Sequence, residues 1–263
     1  MTNEQIRQLA LAQSAIDCNC APGDFMAAQN RVLPSRAHPA ARRYLALPLP
    51  CDLVYYGSAV IATVDPAIPG LAEEVRAYLD RFPAEHCFET PNLYVLNDAL
   101  QAHGLRVCFM AEYFLPEITR LHTLPCPFET RLLTPVDFAP LYTPEWSNAL
   151  WEPRKELDVL GVGAYDGGRL VGLAACSADC AAMWQIGVDV LPPYRGRGIA
   201  EALTTRLALE ILQRDKVPFY CAAWSNIKSV RNAVRCGFSP AWVELTAKPT
   251  AFVDGLNAPK AQR

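Results

Sequence analysis

The stretch "GVDVLPPYRGRGIAEALTTRLALEIL", Gly187 to Leu212, constrains this 263-residue chain more than any other. An apolar run ends at Leu191, and Ile199, Leu203, Leu207 and Ile211, each four apart, predict the buried stripe of a helix starting near Gly198. A strand that hands over directly to a helix is the building unit of a layered α/β fold, because each element must bury one face against the other. The turn between them, "YRGRGIA" from Tyr194 to Ala200, carries two arginines and two glycines. The first N–H groups of a helix lack partners within it, and the aligned peptide dipoles place partial positive charge there. An anion binds such an end when the backbone can approach closely, which requires residues without a Cβ. Gly196 and Gly198 meet that requirement, and Arg195 and Arg197 add charge. On these residues alone, a phosphate-binding turn and an ordinary basic loop turned by glycines both stand. A dinucleotide fingerprint would need glycine where Glu201 lies, and the P-loop string G-x-x-x-x-G-K-S/T does not occur.

The rest of the C-terminal half alternates strands and helices. "ETRLLT" predicts a strand, "PVDFAPLY" opens a helix, and "PEWSNALWEPRKEL" is irregular and rich in tryptophan. "LDVLGVGAY" and "RLVGLAACSA" predict a hairpin whose turn, Asp166–Gly168, needs the positive φ that glycine adopts cheaply. "AAMWQIGVDV" is the next strand and "VPFYCAAW" a buried one. Asn226 can cap a short helix that Gly237 ends, and "FSPAWVEL" closes the half.

In the N-terminal half "MTNEQIRQLALAQSAI" predicts a helix, and "CDLVYYGSAVIATV" predicts two strands turning at Gly57–Ser58. Leu71, Val75, Tyr78, Leu79 and Phe82 mark an amphipathic helix, a second helix near Leu93–His103 stops at Gly104, and "LRVCFMAEYF" follows as a buried strand. "LPEITRLHTLPCPFE" has three prolines and predicts a connector, which places a domain boundary near Cys126. The expected organisation is therefore a smaller α/β domain over residues 1–125 and a second α/β domain with a mixed sheet over 126–263.

Composition narrows the function. Hydrophobic residues are 51% of the chain and charged residues 19%, ordinary for a soluble globular protein, and the formal net charge of −3 disfavours a general nucleic-acid binder. No apolar run reaches the ~18 residues of a membrane span, and the first ten residues lack the features of a signal peptide, so the expected location is the cytoplasm. The ten cysteines include no C-x-x-C pair, and the four histidines (His38, His86, His103, His122) are scattered, so no metal site is expected.

At this point "VDVLPPYRGRGIAEALTTRLALEIL" resembles the acetyl-CoA motif of the GNAT N-acetyltransferases, Gln/Arg-x-x-Gly-x-Gly/Ala between a strand and a long helix, here Arg195-x-x-Gly198-x-Ala200. The family's asparagine-led helix running into Gly-Phe is matched by "SNIKSVRNAVRCGF", with Asn226, Ser229 and Gly237-Phe238, and "ETRLLTPVDFAPLY" is similar to its opening strand and helix. The resemblance covers about Cys126 to Leu245 and is closest to members with an extra N-terminal domain. "LNDALQAHGLRVCFMAEYF" faintly resembles the corresponding end of a second, degenerate GNAT half.

The resemblance implies acetyl-CoA as co-substrate, no metal, and direct transfer of acetyl to a small-molecule amine or an amino terminus. By it, the backbone at Arg195, Gly196, Arg197, Gly198, Ile199 and Ala200 would hold the pyrophosphate. The pantetheine arm would run along the strand at Val188 and Val190, with the N–H of Val190 on the thioester carbonyl, and Asn226 and Ser229 would flank its path. The usual acid, a tyrosine seven residues after the asparagine, is Ala233 here. Tyr220 or Ser225 could replace it, or the thiolate could leave unaided. A carboxylate used as base by some relatives is Trp184 here, which leaves Asp189, on the opposite face from Val188 unless a bulge intervenes, and Glu145 and Glu152 as candidates, directly or through water. Trp146 and Trp151 fall where relatives face substrate, with core packing as the other reading. The rival function is a CoA or acyl-CoA sensor or adaptor without turnover, a longer acyl group is a further option, and the oligomeric state, a homodimer included, stays open.

Overall fold

A computed structural model describes residues 1–258. Along them run α1 (Asn3–Cys18), β1 (Arg31–Pro34), β2 (Cys51–Tyr55), β3 (Val60–Val64), α2 (Leu71–Arg81), α3 (Thr90–Gln101), β4 (Leu105–Pro116), β5 (Glu129–Leu133) and α4 (Pro135–Phe138). These are followed by β6 (Asp158–Asp166), β7 (Arg169–Ser177), β8 (Met183–Val190), α5 (Ile199–Leu212), β9 (Val217–Ala223), α6 (Ile227–Arg235), β10 (Phe238–Pro249) and α7 (Thr250–Asn257). No described helix is long and apolar enough to cross a membrane.

The described residues form two compact units, one of residues 1–10 and 113–241 and the other of 11–112 and 242–258. This differs from the expected division at 125/126. The boundary lies inside strands because the two ends of one strand serve different cores. Phe114 of β4 packs with Val162, Val171 and Phe238, whereas Leu105 of the same strand packs with Leu53, Val75 and Leu96. Likewise Phe238 of β10 belongs to the first core and Leu245 and Ala247 to the second. The proline-rich connector that suggested a boundary lies within the first unit, with Leu121 buried in its core. β4 is also less buried than expected: Phe109 is 48% exposed.

In the first unit the strand order is β10-β4-β9-β8-β7-β6-β5. β5 to β8 are antiparallel and β8 to β9 parallel, so the sheet is mixed. One face is covered by α5, whose Ile199, Leu203, Leu207 and Ile211 are each at most 2% exposed. The predicted stripe is thus the buried stripe. The opposite face carries Leu173 and Ala175 beneath Phe138, Trp146 and Leu150.

The second unit orders its strands β1-β3-β2-β10-β4, with β1 parallel to β3 and β2 antiparallel to β3 and β10. The short β1 and the C-terminal α7 were not predicted, since four residues carry no usable period and α7 lies past the last predicted strand. At the heart of this unit Arg42, 2% exposed, is bound by Asp17 (Nε to Oδ2 2.5 Å) and Glu244 (3.1 Å), with Trp242 and Tyr44 against its guanidinium. Deleting one member of a buried ion cluster leaves its partners charged and desolvated. Arg42→Met is expected to lower stability by about 3–5 kcal/mol, measured by urea unfolding; a loss within experimental error would show the cluster to be energetically neutral.

Candidate active site

The site begins where two strands part. β8 pairs antiparallel with β7 from Gly172↔Val190 to Ser177↔Gln185 without a register shift, but pairs parallel with β9 only from Met183↔Val217 to Ile186↔Tyr220. Beyond that point Gly187–Val190 and Cys221–Ala223 diverge. The N–H of Leu191 donates to the Val171 carbonyl (3.0 Å), which fixes the phase of the ladder. Residues 187, 189 and 191 therefore bond to β7, and Val188 and Val190 turn their backbone groups away from it, to the side where pairing with β9 has ended. A cavity of about 900 Å³ occupies the wedge, lined by both strand ends, by the turn at 194–200 and by α6.

One end of the cavity is the turn before α5. Gly196 (φ 75°) and Gly198 (φ 77°) hold the left-handed backbone that glycine accommodates, and a Cβ at either position would meet nothing within 4 Å, so the space in front of them is open. Gly198 stands at the N-cap of α5, and no side chain caps that helix. Arg195 donates from Nε to the Val190 carbonyl (2.9 Å), and Arg197 donates to the Pro193 carbonyl (3.3 Å) and lies over the Tyr194 ring (5.4 Å). The arginines thus brace the turn. Val188, Val190, Arg195, Gly196, Gly198, Ile199, Ala200, Asn226 and Ser229 line the cavity as anticipated, whereas Arg197 does not. Its side chain is folded onto its own loop.

The α-helical side of the sheet supplies Tyr220, 3% exposed, whose hydroxyl lies 2.8 Å from Ser229 Oγ. Burial raises its pKa above the ordinary phenol value, so the hydroxyl stays protonated at neutral pH and can donate. Asn226 caps α6, its Oδ1 accepting from the Ser229 N–H (3.3 Å), and lines the cavity as well. Ala233, at the usual tyrosine position, is fully buried in the core beside Tyr220 and Phe238 and does not line the cavity.

The opposite side corrects several expectations. No bulge interrupts β8, and the Asp189 carboxylate accepts from Asn148 N–H (2.8 Å), Asn148 Nδ2 (2.6 Å) and Ala149 N–H (3.0 Å). Three donors make it an anchor for the 148–149 turn. Trp146, 7% exposed, is core beneath Leu133 and Phe138 and does not line the cavity, whereas Trp151, 52% exposed, does. Glu145 and Glu152 do not line it either.

Residues absent from the expectations fill the remaining end. Asp158, Ser177 and Gln185 are neighbours across β6, β7 and β8, and all line the cavity. Gln185 Nε2 donates to Cys221 Sγ (3.0 Å). Tyr142 donates to Asp158 Oδ2 (3.1 Å). Burial first, and the charge of Asp179 last, push the Asp158 pKa up to about 6 against the lowering effects of Tyr142, the Trp151 backbone and Arg154. Arg154 is paired with the fully buried Asp179 (2.6 Å), which also accepts from Ser177 (2.8 Å), and lies over the Trp151 ring (4.8 Å). Nothing in the sequence marks Asp158: it opens an apolar strand, and its setting depends on residues far along the chain. Among the described residues no group of three or more His, Cys, Asp or Glu could hold a metal ion.

Residues 155–241 match the family model described as GNAT acetyltransferase. This segment is a GNAT acetyltransferase domain. Solved structures similar to the chain include a GNAT-family protein from Novosphingobium aromaticivorans (22% identity over 55% of this chain and 66% of that one, TM-score 0.45). Another is a GCN5-related N-acetyltransferase-like protein from Streptococcus suis (23% identity, 61% and 69%, TM-score 0.44). A third, from Salmonella typhimurium, contains acetyl-CoA (17% identity, 48% and 95%, TM-score 0.36). No curated protein matches the chain. The GNAT domain holds both the wedge and the turn before α5.

Gly187 sits where the two sides of the site meet, since a Cβ there would overlap the Asn148 carbonyl oxygen. Gly187→Ala is expected to displace the 148–149 turn and cost about 1–3 kcal/mol, read by thermal unfolding; an unchanged melting temperature would show that the turn yields freely.

Proposed function

We propose that the protein is an acetyl-CoA-dependent N-acetyltransferase acting on a small-molecule amine or an amino terminus. The observation that carries this reading is the free edge of β8 running into an uncapped, glycine-bearing helix start, both within one cavity. The residues fit the co-substrate. A diphosphate needs unpaired N–H groups and open space, which Gly196, Gly198 and the start of α5 supply. An amide-bearing arm needs a strand edge with its backbone groups turned outward, which Val188 and Val190 supply.

When bound, acetyl-CoA supplies the activated acetyl group. Val190 lies against the turn, since Arg195 reaches its carbonyl, so its N–H meets the arm near the phosphates. The N–H of Val188, about 7 Å deeper along the strand, is therefore the better placed donor for the thioester carbonyl, a contribution of ~3 kcal/mol to the transition state. As the nitrogen–carbon bond forms and the carbon–sulfur bond breaks, Tyr220, held by Ser229, would give its proton to the departing sulfur, in place of the tyrosine missing at residue 233, and the proton shed by the attacking nitrogen would return through water to the Tyr220 phenolate. Asp189 positions the 148–149 turn, and Trp151 walls the acceptor's entry.

Ala233 favours a second reading, a CoA-binding sensor without turnover. Incubation with acetyl-CoA and a broad amine panel, following thiol release, separates the two: tight acetyl-CoA binding with no release above hydrolysis supports the sensor. Gly198→Glu places bulk and negative charge at the phosphate end and is expected to abolish acetyl-CoA binding in calorimetry; unchanged affinity would refute the assignment. Tyr220→Phe is expected to lower kcat about 10²-fold with acetyl-CoA affinity intact; wild-type kcat would remove Tyr220 from the proton path.

A further inference from the structure

The lining of the cavity includes Trp151 and reaches Asp158, two strands away from β8 on the face opposite α5. We propose that this end is a second acceptor subsite, in which Asp158 binds a cationic group carried by the amine substrate well away from the nitrogen that is acetylated. The inference rests on the acetyltransferase reading only for which end of the acceptor reacts.

Two independent observations point to a cationic donor. The first is charge. Two carboxylates, Asp158 and Asp179, share the guanidinium of Arg154, which is ion-paired with Asp179 and also acts electrostatically on Asp158. Tyr142 from the segment after α4 and the Cys176 thiol on β7, both held protonated chiefly by burial, are neutral at pH 7, while Glu152 and Glu156 act on Tyr142 and Arg214 on Cys176. This end therefore carries net negative charge when Asp158 is ionised. The second is an unmet acceptor. Gln185 Oε1 is buried and has no hydrogen-bond partner among the described residues, although its Nε2 is bound to Cys221. A buried acceptor without a donor is costly and points to an N–H that a ligand brings. Gln185 lies between Asp158 and the wedge, so one extended acceptor can meet both.

Sheet geometry sets the spacing. Asp158 is two strand spacings and about three residues from Val188, which separates the cation from the reacting nitrogen by on the order of 10–15 Å. The acceptor class is thus a long amine with a second cationic centre, and a compact monoamine would leave the subsite unused.

The test is a length series of α,ω-diamines, from propane to dodecane, with the matching monoamines, titrated calorimetrically into the full-length protein saturated with CoA. Affinity is expected to rise with length and then level, with long diamines binding about 10–100-fold more tightly than monoamines. Asp158→Asn is expected to erase that advantage while acetyl-CoA affinity, which reports a folded site, is unchanged. A length series that is flat in the wild type, or one that survives in Asp158→Asn, overturns the proposal. Should that variant fail to fold, the wild type still decides. Protonating Asp158 should weaken long diamines about tenfold between pH 7 and pH 5 and leave monoamines unaffected, and equal pH dependence for both overturns the subsite. Binding is read without turnover, so absent thiol release would defeat the enzymatic reading alone.

Discussion

The site depends on one interrupted ladder. β8 is held to β7 from Gln185 to Val190, while its pairing with β9 stops at Ile186↔Tyr220. The parting is maintained from both sides. Arg195 binds the Val190 carbonyl, and the 148–149 turn is hooked over Asp189, so β8 cannot bend back. β9 is tied to α6 through Tyr220 and Ser229. Backbone groups that would ordinarily close a sheet are thereby left facing a cavity. A strand edge inside a domain is costly unless something pairs with it, and an amide-bearing co-substrate is such a partner.

This arrangement divides the chemistry by face. The phenol of Tyr220 approaches from the side packed by α5 and α6, and the carboxylates approach from the side covered by residues 142–157. The Tyr220 hydroxyl and the Asp158 carboxylate thus lie on opposite faces of the sheet.

Much of this was readable in advance, for definite reasons. The helix stripe from Ile199 to Ile211, the hairpin at Asp166–Gly168 and the cap at Asn226 are local features, fixed by period, turn chemistry and a side chain that reaches its own backbone. The open turn before α5 was legible because its signal, glycines before a helix, is written in consecutive residues. The Asp158 end of the cavity was not. Asp158, Ser177 and Gln185 meet only through strand register, and Trp146 and Trp151, five residues apart, diverge into core and cavity because an irregular segment has no period to read. Asp189 shows the same limit: alternation located its face, but its three donors come from a loop about 40 residues earlier.

The two strands that contribute to both cores make the chain hard to dissect. Cleaving at the proline-rich connector would leave the N-terminal fragment without the strand that follows Ala241, and the C-terminal fragment without Tyr113–Pro116. Each piece would expose a row of unpaired amides where a neighbour had been, a template for self-association. Deletion of either half is therefore a test of aggregation rather than of what that half does.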